Sequence, residues 1–287
     1  MFKKIISFLL VLALLSVSTS AYALNNQNSE NIKDNSIAIK TIETNSSNDY
    51  NNFLKDVENF KQFKKSQKLK QGTLSNDDFE LKCAIEYYNQ KVKNGQLTGP
   101  LLNPNDFITV KTNKSISAQT NVTTLYYDKY SVRAQLWVAS LMISPILPRT
   151  AYFFQHSLND NPSDVYLGSS NPIVPEIKAT NAYKSVIATF KRSGSSYQRN
   201  PLIFTPSNAS WDLYLALHYT TIYSYSSGKS ITSYVTDTYD FQPKNWGGYG
   251  SGIPDAAVTL INNYGVYAQS VGAVVPYYIS ITIPDTK

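Results

Sequence analysis

Two residue types are scarce in this chain, and their scarcity narrows the chemistry first. A single cysteine, Cys83, excludes an intrachain disulfide. Two histidines, His156 and His218, are too few for a histidine-rich metal centre, and Cys/His zinc spacing is absent. No G-x-S-x-G elbow, H-E-x-x-H helix or glycine-rich phosphate fingerprint occurs, so no metal and no cofactor is expected. Charge of either sign is modest, with 26 Lys and Arg against 20 Asp and Glu. Such a balance suits ordinary solubility, and no nucleic-acid motif accompanies it, so no nucleic-acid partner is expected. After the N-terminal segment, no stretch approaches the roughly 20 apolar residues of a membrane-spanning helix.

What is present begins with an export pattern. Lys3 and Lys4 precede an apolar run from Ile5 to Val17, and Ala21-Tyr22-Ala23 has the small-residue form of a cleavage site. Residues 1–23 therefore read as a signal peptide, and the protein as secreted, extracellular or wall-associated. The lack of disulfides and the Lys/Asn-rich composition fit an exported protein of a Gram-positive bacterium. Tyrosine is abundant, with 22 residues, and its apolar ring with a polar tip suits exposed binding surfaces as well as cores. Partners suggested by that excess are glycans or other envelope components, with peripheral membrane contact as a further option.

Along the chain, residues 24–48 are rich in Asn, Ser and Thr and read as a disordered leader. Tyr50, Phe53, Leu54, Val57 and Phe60 recur at helical spacing, and Leu81, Ile85, Tyr88 and Val92 do so again, which predicts a helical hairpin over 49–96. Ser75 with Asp78 has the pattern of an N-terminal cap, and Gly72 and Gly95 act as stops. Cys83 lies beside the apolar row of the second helix and is expected to be a buried, inert thiol. Residues 97–124, with Gly99-Pro100 and Pro104, read as a linker. From 125 to 287 the pattern predicts helices followed by strands: an α+β domain of helices packed on a mainly antiparallel sheet with a long C-terminal hairpin.

The hairpin is placed over Trp211–Phe241. The odd row Leu213, Leu215, Leu217, Tyr219, Thr221, Tyr223, Tyr225 is more apolar than the even row and is expected to face the core. A helical reading of the first segment also exists, because Trp211, Leu215, His218 and Ile222 share a helix face. A turn at Ser227-Gly228 sets His218 opposite Asp237, within reach of an imidazole–carboxylate hydrogen bond. In that arrangement Asp237 orients His218, and a neutral histidine so held acts as a general base. The candidate catalytic set is His218, Asp237, His156 and Asp240, with Asp160, Asp212 and Tyr239 as binding candidates. A satisfied structural histidine is the competing interpretation of His218. The segment from His156 to Asp164 is dense in Asn and Asp, which capped helix ends and tight turns also explain.

Asp237-Thr238-Tyr239-Asp240 resembles part of the D-x-Y-D motif of colicin M-like bacteriocins. That resemblance implies hydrolysis of lipid-linked peptidoglycan precursors, releasing the pyrophosphate-linked sugar from its polyprenol, with Asp237, Tyr239 and Asp240 as the matched positions. The family pattern continues to a His-Arg pair, and Trp246-Gly247 stands in that place here. The expectation is a toxin-like or envelope-directed hydrolase. The alternatives are a non-catalytic, Tyr-rich glycan- or protein-binding module, or a pore-former that inserts the hairpin into a membrane.

Overall fold

The computed structural model describes residues 46–72, 74–107, 128–242 and 253–287. The expected signal peptide, residues 24–45 of the expected leader, most of the expected linker and the Gly-rich loop at 243–252 lie outside the described residues. Eight α-helices and five strands are described, in the order α1 (Ser46–Gln67), α2 (Asn76–Lys93), α3 (Lys129–Ile143), α4 (Pro148–Ser157), β1 (Val165–Leu167), α5 (Ile173–Ala179), α6 (Asn181–Ser193), β2 (Tyr197–Ile203), α7 (Trp211–Ala216), β3 (Tyr219–Ser227), β4 (Ser230–Tyr239), α8 (Ile253–Ser270) and β5 (Tyr277–Thr286). The class is α+β, as the sequence indicates. None of the described helices is long and apolar enough to cross a membrane.

Local chemistry sets the helix ends. Ser75 caps α2 by accepting from the Asp78 N–H at 3.1 Å, and the Asp128 carboxylate caps α3 by accepting from the N–H groups of Tyr130 and Ser131. Pro148 opens α4, where its missing N–H costs nothing. Two short helices, α5 and α6, follow Pro172. Thr180 leaves helical geometry between them, and its hydroxyl accepts from the Tyr183 N–H to start α6.

The strands form one sheet in the order β1-β5-β4-β3-β2, antiparallel except for the β1–β5 pair. Tyr50, Phe53 and Val57 of α1 join α4, α5 and α6 in the core on one sheet face. Phe60, α2, α3 and the C-terminal part of α8 build a second core. The helical hairpin thus feeds both cores through a single helix.

Two expectations about the 211–241 segment change. Residues 211–216 are helical, because Ser210 caps them through the Leu213 N–H and because Leu213, Tyr214 and Ala216 then bury together. The hairpin proper is β3–β4. Its core-facing row on β3 is the even one, Thr220, Ile222 and Ser224, while Tyr219 and Tyr225 are 59% and 43% exposed. Small hydroxyls make this possible: Ser224 and Ser233 satisfy each other at 2.9 Å inside the core. The tyrosines of the odd row cover one another on the outer face instead, with Tyr225 at 5.1 Å from Tyr197 and 5.9 Å from Tyr234, and with Arg199 over Tyr223. Both hairpin strands are inner strands of the sheet, so a hairpin leaving for a membrane would have to break the ladders to β2 and β5.

Cys83 is 1% exposed, and burial, followed by the Glu86 carboxylate, pushes its thiol up to about 11. A thiol reagent at pH 8 is expected to leave the native chain unlabelled and to label one site per chain after unfolding. Rapid native labelling would contradict the placement of α2.

Candidate active site

The turn that joins β3 to β4 is Gly228-Lys229, flanked by the pair Ser227–Ser230, and Gly228 takes a φ of 58° there. This is one residue further along than the sequence suggests. The register accordingly pairs Thr221 with Thr236, and its continuation sets Thr220, not His218, across from Asp237. The expected direct opposition of His218 and Asp237 is therefore replaced by a diagonal one. His218 is still held by the ladder, since its carbonyl accepts from the Phe204 N–H at 3.0 Å. It lies just ahead of β3, is half-buried, and meets the Tyr214 ring edge-on at 5.1 Å. Diagonal neighbours on adjacent strands lie about 7–8 Å apart, a span that long side chains bridge.

Asp237 lies on the core-facing row of β4 with Ile231, Ser233, Val235 and Tyr239, and pairs with Ile279 of β5. Burial, and then the nearby charge of Asp240, raise its carboxyl to about 7, while the Thr238 N–H works the other way. Asp240, just past the strand end, is exposed and accepts from the Gln242 amide at 3.5 Å. Two carboxyls three residues apart therefore occupy unlike surroundings, one half-buried and one in water.

Tyr239 is the hub between them and the helices. Its ring packs on Phe153 of α4 at 6.1 Å, on Phe241 at 5.7 Å and, stacked, on Tyr277 of β5 at 5.4 Å. Burial and then Asp237 raise the Tyr239 hydroxyl far above its usual range. Tyr277 is Tyr239's register partner and donates its hydroxyl to the Phe153 carbonyl at 2.8 Å. His156, near the end of α4, meets the Tyr277 ring edge-on at 4.6 Å, and its Nε2 lies 2.7 Å from the Ser163 carbonyl just ahead of β1. A transverse row thus crosses one end of the sheet, from His218 through Tyr239 and Tyr277 to His156. The two histidines sit near opposite ends of that row. His156 approaches the row from α4, through the Tyr277 ring.

The remaining candidates stand apart. Both oxygens of buried Asp212 accept from the start of α4, from the N–H groups of Arg149 and Thr150 and from the Thr150 hydroxyl, and the Arg149 guanidinium lies at 3.6 Å. It caps a helix. Asp160 is exposed and bonded to Lys129 and Arg133, each at 2.8 Å, and those bonds pull its carboxyl down to about 2. Sequence reasoning passes over Tyr277, the residue that links His156 to the D-x-Y-D segment. Its signal is the strand Tyr277–Thr286, whose alternation places Tyr277 on the same face as Ile279, Ile281 and Ile283. Among the described residues, no three His, Cys, Asp or Glu side chains are grouped to hold a metal ion.

No family model matches the chain, and no curated protein does. Among solved structures, one of PaeM, a colicin M-like bacteriocin produced by Pseudomonas aeruginosa, aligns with 74% of this chain and 70% of its own at 12% identity and a TM-score of 0.22. A score that low does not equate the two folds.

Proposed function

We propose that the chain is a toxin-like hydrolase directed at the cell envelope, with Asp237 as its proton-transferring carboxyl. The observation that carries this reading is the pair Asp237 and Asp240: one carboxyl raised toward neutral pH by burial and by its neighbour's charge, the other exposed. Groups whose surroundings drive them apart in this way divide the roles of acid and base. Protonated Asp237 donates to the departing oxygen. The Asp240 carboxylate, or His218 on the diagonal, takes the proton of the attacking water. Tyr239 positions both through its packing, and His156 closes the far end of the row against Tyr277. The export pattern read at residues 1–23 supports a target outside the cytoplasm. The D-x-Y-D string adds a substrate class, the lipid-linked peptidoglycan precursors, with His218 in the role that Trp246-Gly247 leaves unfilled.

The test is release of the pyrophosphate-linked sugar from such a precursor by the purified protein. Asp237→Asn is expected to slow it by about 100-fold or more, the size of an acid–base contribution, with Asp240→Asn also impaired. Undiminished turnover by Asp237→Asn would overturn the assignment. A second reading, a binding module, is favoured by the exposed tyrosines on the open sheet face, Tyr166, Tyr197, Tyr219, Tyr225 and Tyr278. It gains if Tyr197→Ser with Tyr225→Ser abolishes biological action while Asp237→Asn does not.

A further inference from the structure

The β4–β5 ladder ends at the pair Tyr239–Tyr277. Beyond it, the course of the chain from Asp240 to Gln242 is set by side chains of α8. The Phe241 N–H donates to the Gln269 Oε1 at 3.0 Å, and the Asn262 Nδ2 donates to the Gln242 carbonyl at 2.6 Å. The Phe241 ring lies against Gly265, where a Cβ would stand 2.3 Å from a ring carbon. We infer that Gln269 and Asn262 are positioning residues that hold the Asp240 carboxylate beside Asp237, an inference that rests on the hydrolase reading of that pair.

The three α8 positions form one device. Asn262, Gly265 and Gln269 are three and four residues apart and therefore share a helix face. That face offers a donor, a gap and an acceptor to a carbonyl, a ring and an N–H. Apolar side chains at 262 and 269 could pack on the Phe241 ring, but they would leave that carbonyl and that N–H unpaired. Glycine is a poor helix former, and at 265 it admits the ring.

Asp240 takes its place from these neighbours. On one side, Tyr239 is locked by its ring among Phe153, Phe241 and Tyr277. On the other, Phe241 is held by α8 through its N–H and its ring. The Asp240 carboxylate itself is exposed, and its bond from the Gln242 amide is long, at 3.5 Å. The ionisable groups around Asp237 are His218 on the diagonal, Tyr239 and Asp240 on its own segment, and Tyr277 on β5. Of these, Asp240 alone lies past the last ladder pair, so its distance from Asp237 depends on α8. Displacement of a catalytic group by about 1 Å can cost roughly 100-fold in rate.

The experiment is NMR titration of the Asp237 side-chain carboxyl carbon, with precursor turnover, in the full chain and in Asp240→Asn, Gln269→Met and Asn262→Ala. Gln269→Met keeps the side-chain length and removes the acceptor, and Asn262→Ala removes the donor. Both are expected to lower the Asp237 midpoint toward the Asp240→Asn value, because a like charge has moved away. A merely structural anchor would not move it. Both are expected to lower kcat about tenfold or more with KM little changed. Gln269→Glu, which restores an acceptor, is expected to keep the midpoint at or above that of the wild type. Adding Gln269→Met to Asp240→Asn is expected to cost little further turnover, the non-additivity of two residues that act through one carboxylate. If one clamp variant does not fold, the other decides. A wild-type midpoint near 7 that falls in Asp240→Asn but stays in place in the folded clamp variants overturns this inference and leaves the hydrolase reading standing. A wild-type midpoint near the ordinary aspartate value, or one that Asp240→Asn leaves in place, removes both.

Discussion

Asp237→Asn is expected to raise the melting temperature at pH 8 and to leave it unchanged near pH 4. The reason is linkage. An unfolded aspartate titrates near 3.9, whereas burial and the Asp240 charge lift folded Asp237 to about 7. Between those values the folded chain holds a proton that the unfolded chain has released. Stability from this group therefore falls as pH rises from about 4 to about 7, and the full penalty persists above. A rise of that size corresponds to at most about 4 kcal/mol, because Asp237 is half-buried and some solvent reaches it. Asparagine carries no charge at any pH and removes the slope. In a chain of this size the gain at pH 8 amounts to roughly 10 °C. Scanning calorimetry at pH 4, 6 and 8 reads it directly. A variant less stable than wild type at pH 8 would mean that the carboxylate is held by a partner as a structural anion. The combination of higher stability with lost turnover is the expected mark of a charge kept in an unfavourable place for its chemistry.

Asp212→Ala is expected to cost about 3 kcal/mol of stability, the order seen when one partner of a buried ion pair is removed. Its carboxylate satisfies the first N–H groups of α4 and faces the Arg149 guanidinium, whose Nε already lacks a partner among the described residues. Arg149 also bonds Glu176, so the cap ties α7, α4 and α5 together. Asp212→Asn keeps an acceptor for the helix N–H groups and is expected to lose less than half as much. Denaturant midpoints for the two variants check this. Full stability in Asp212→Ala together with lost activity would return the residue to the site.

The helices are legible wherever an apolar row meets a cap. Ser75 with Asp78, and Pro148, place the starts of α2 and α4 to within a residue. The α+β class follows from the order of these patterns. The first half of the supposed hairpin is not legible, since Leu213, Leu215 and Leu217 alternate as a strand does while Leu213, Tyr214 and Ala216 bury as a helix does. Local periodicity cannot choose between them over six residues; the cap at Ser210 and the packing against α4 choose. The facing of β3 is hidden for a related reason. Tyrosine counts as apolar in a pattern, yet its hydroxyl and its ring partners let it occupy an open sheet face, while two serines that satisfy each other take the core.

The D-x-Y-D segment is legible as a candidate, and so is His156. Their relation is not, because it passes through Tyr277, 38 residues beyond Tyr239 in a strand that carries no motif. Nor can the sequence decide whether His218 faces Asp237 directly. That depends on whether the turn is Ser227-Gly228 or Gly228-Lys229, two choices that differ by one residue and shift the pairing by two.

Central to the proposed site is a carboxyl at the end of β4 that changes charge near neutral pH. Its most direct measurement is the titration of the Asp237 side-chain carboxyl carbon by NMR, assigned by its loss in Asp237→Asn. A midpoint near pH 7, moving lower in Asp240→Asn as the neighbouring charge is removed, is the predicted result. A midpoint near pH 4 that ignores Asp240 would contradict it.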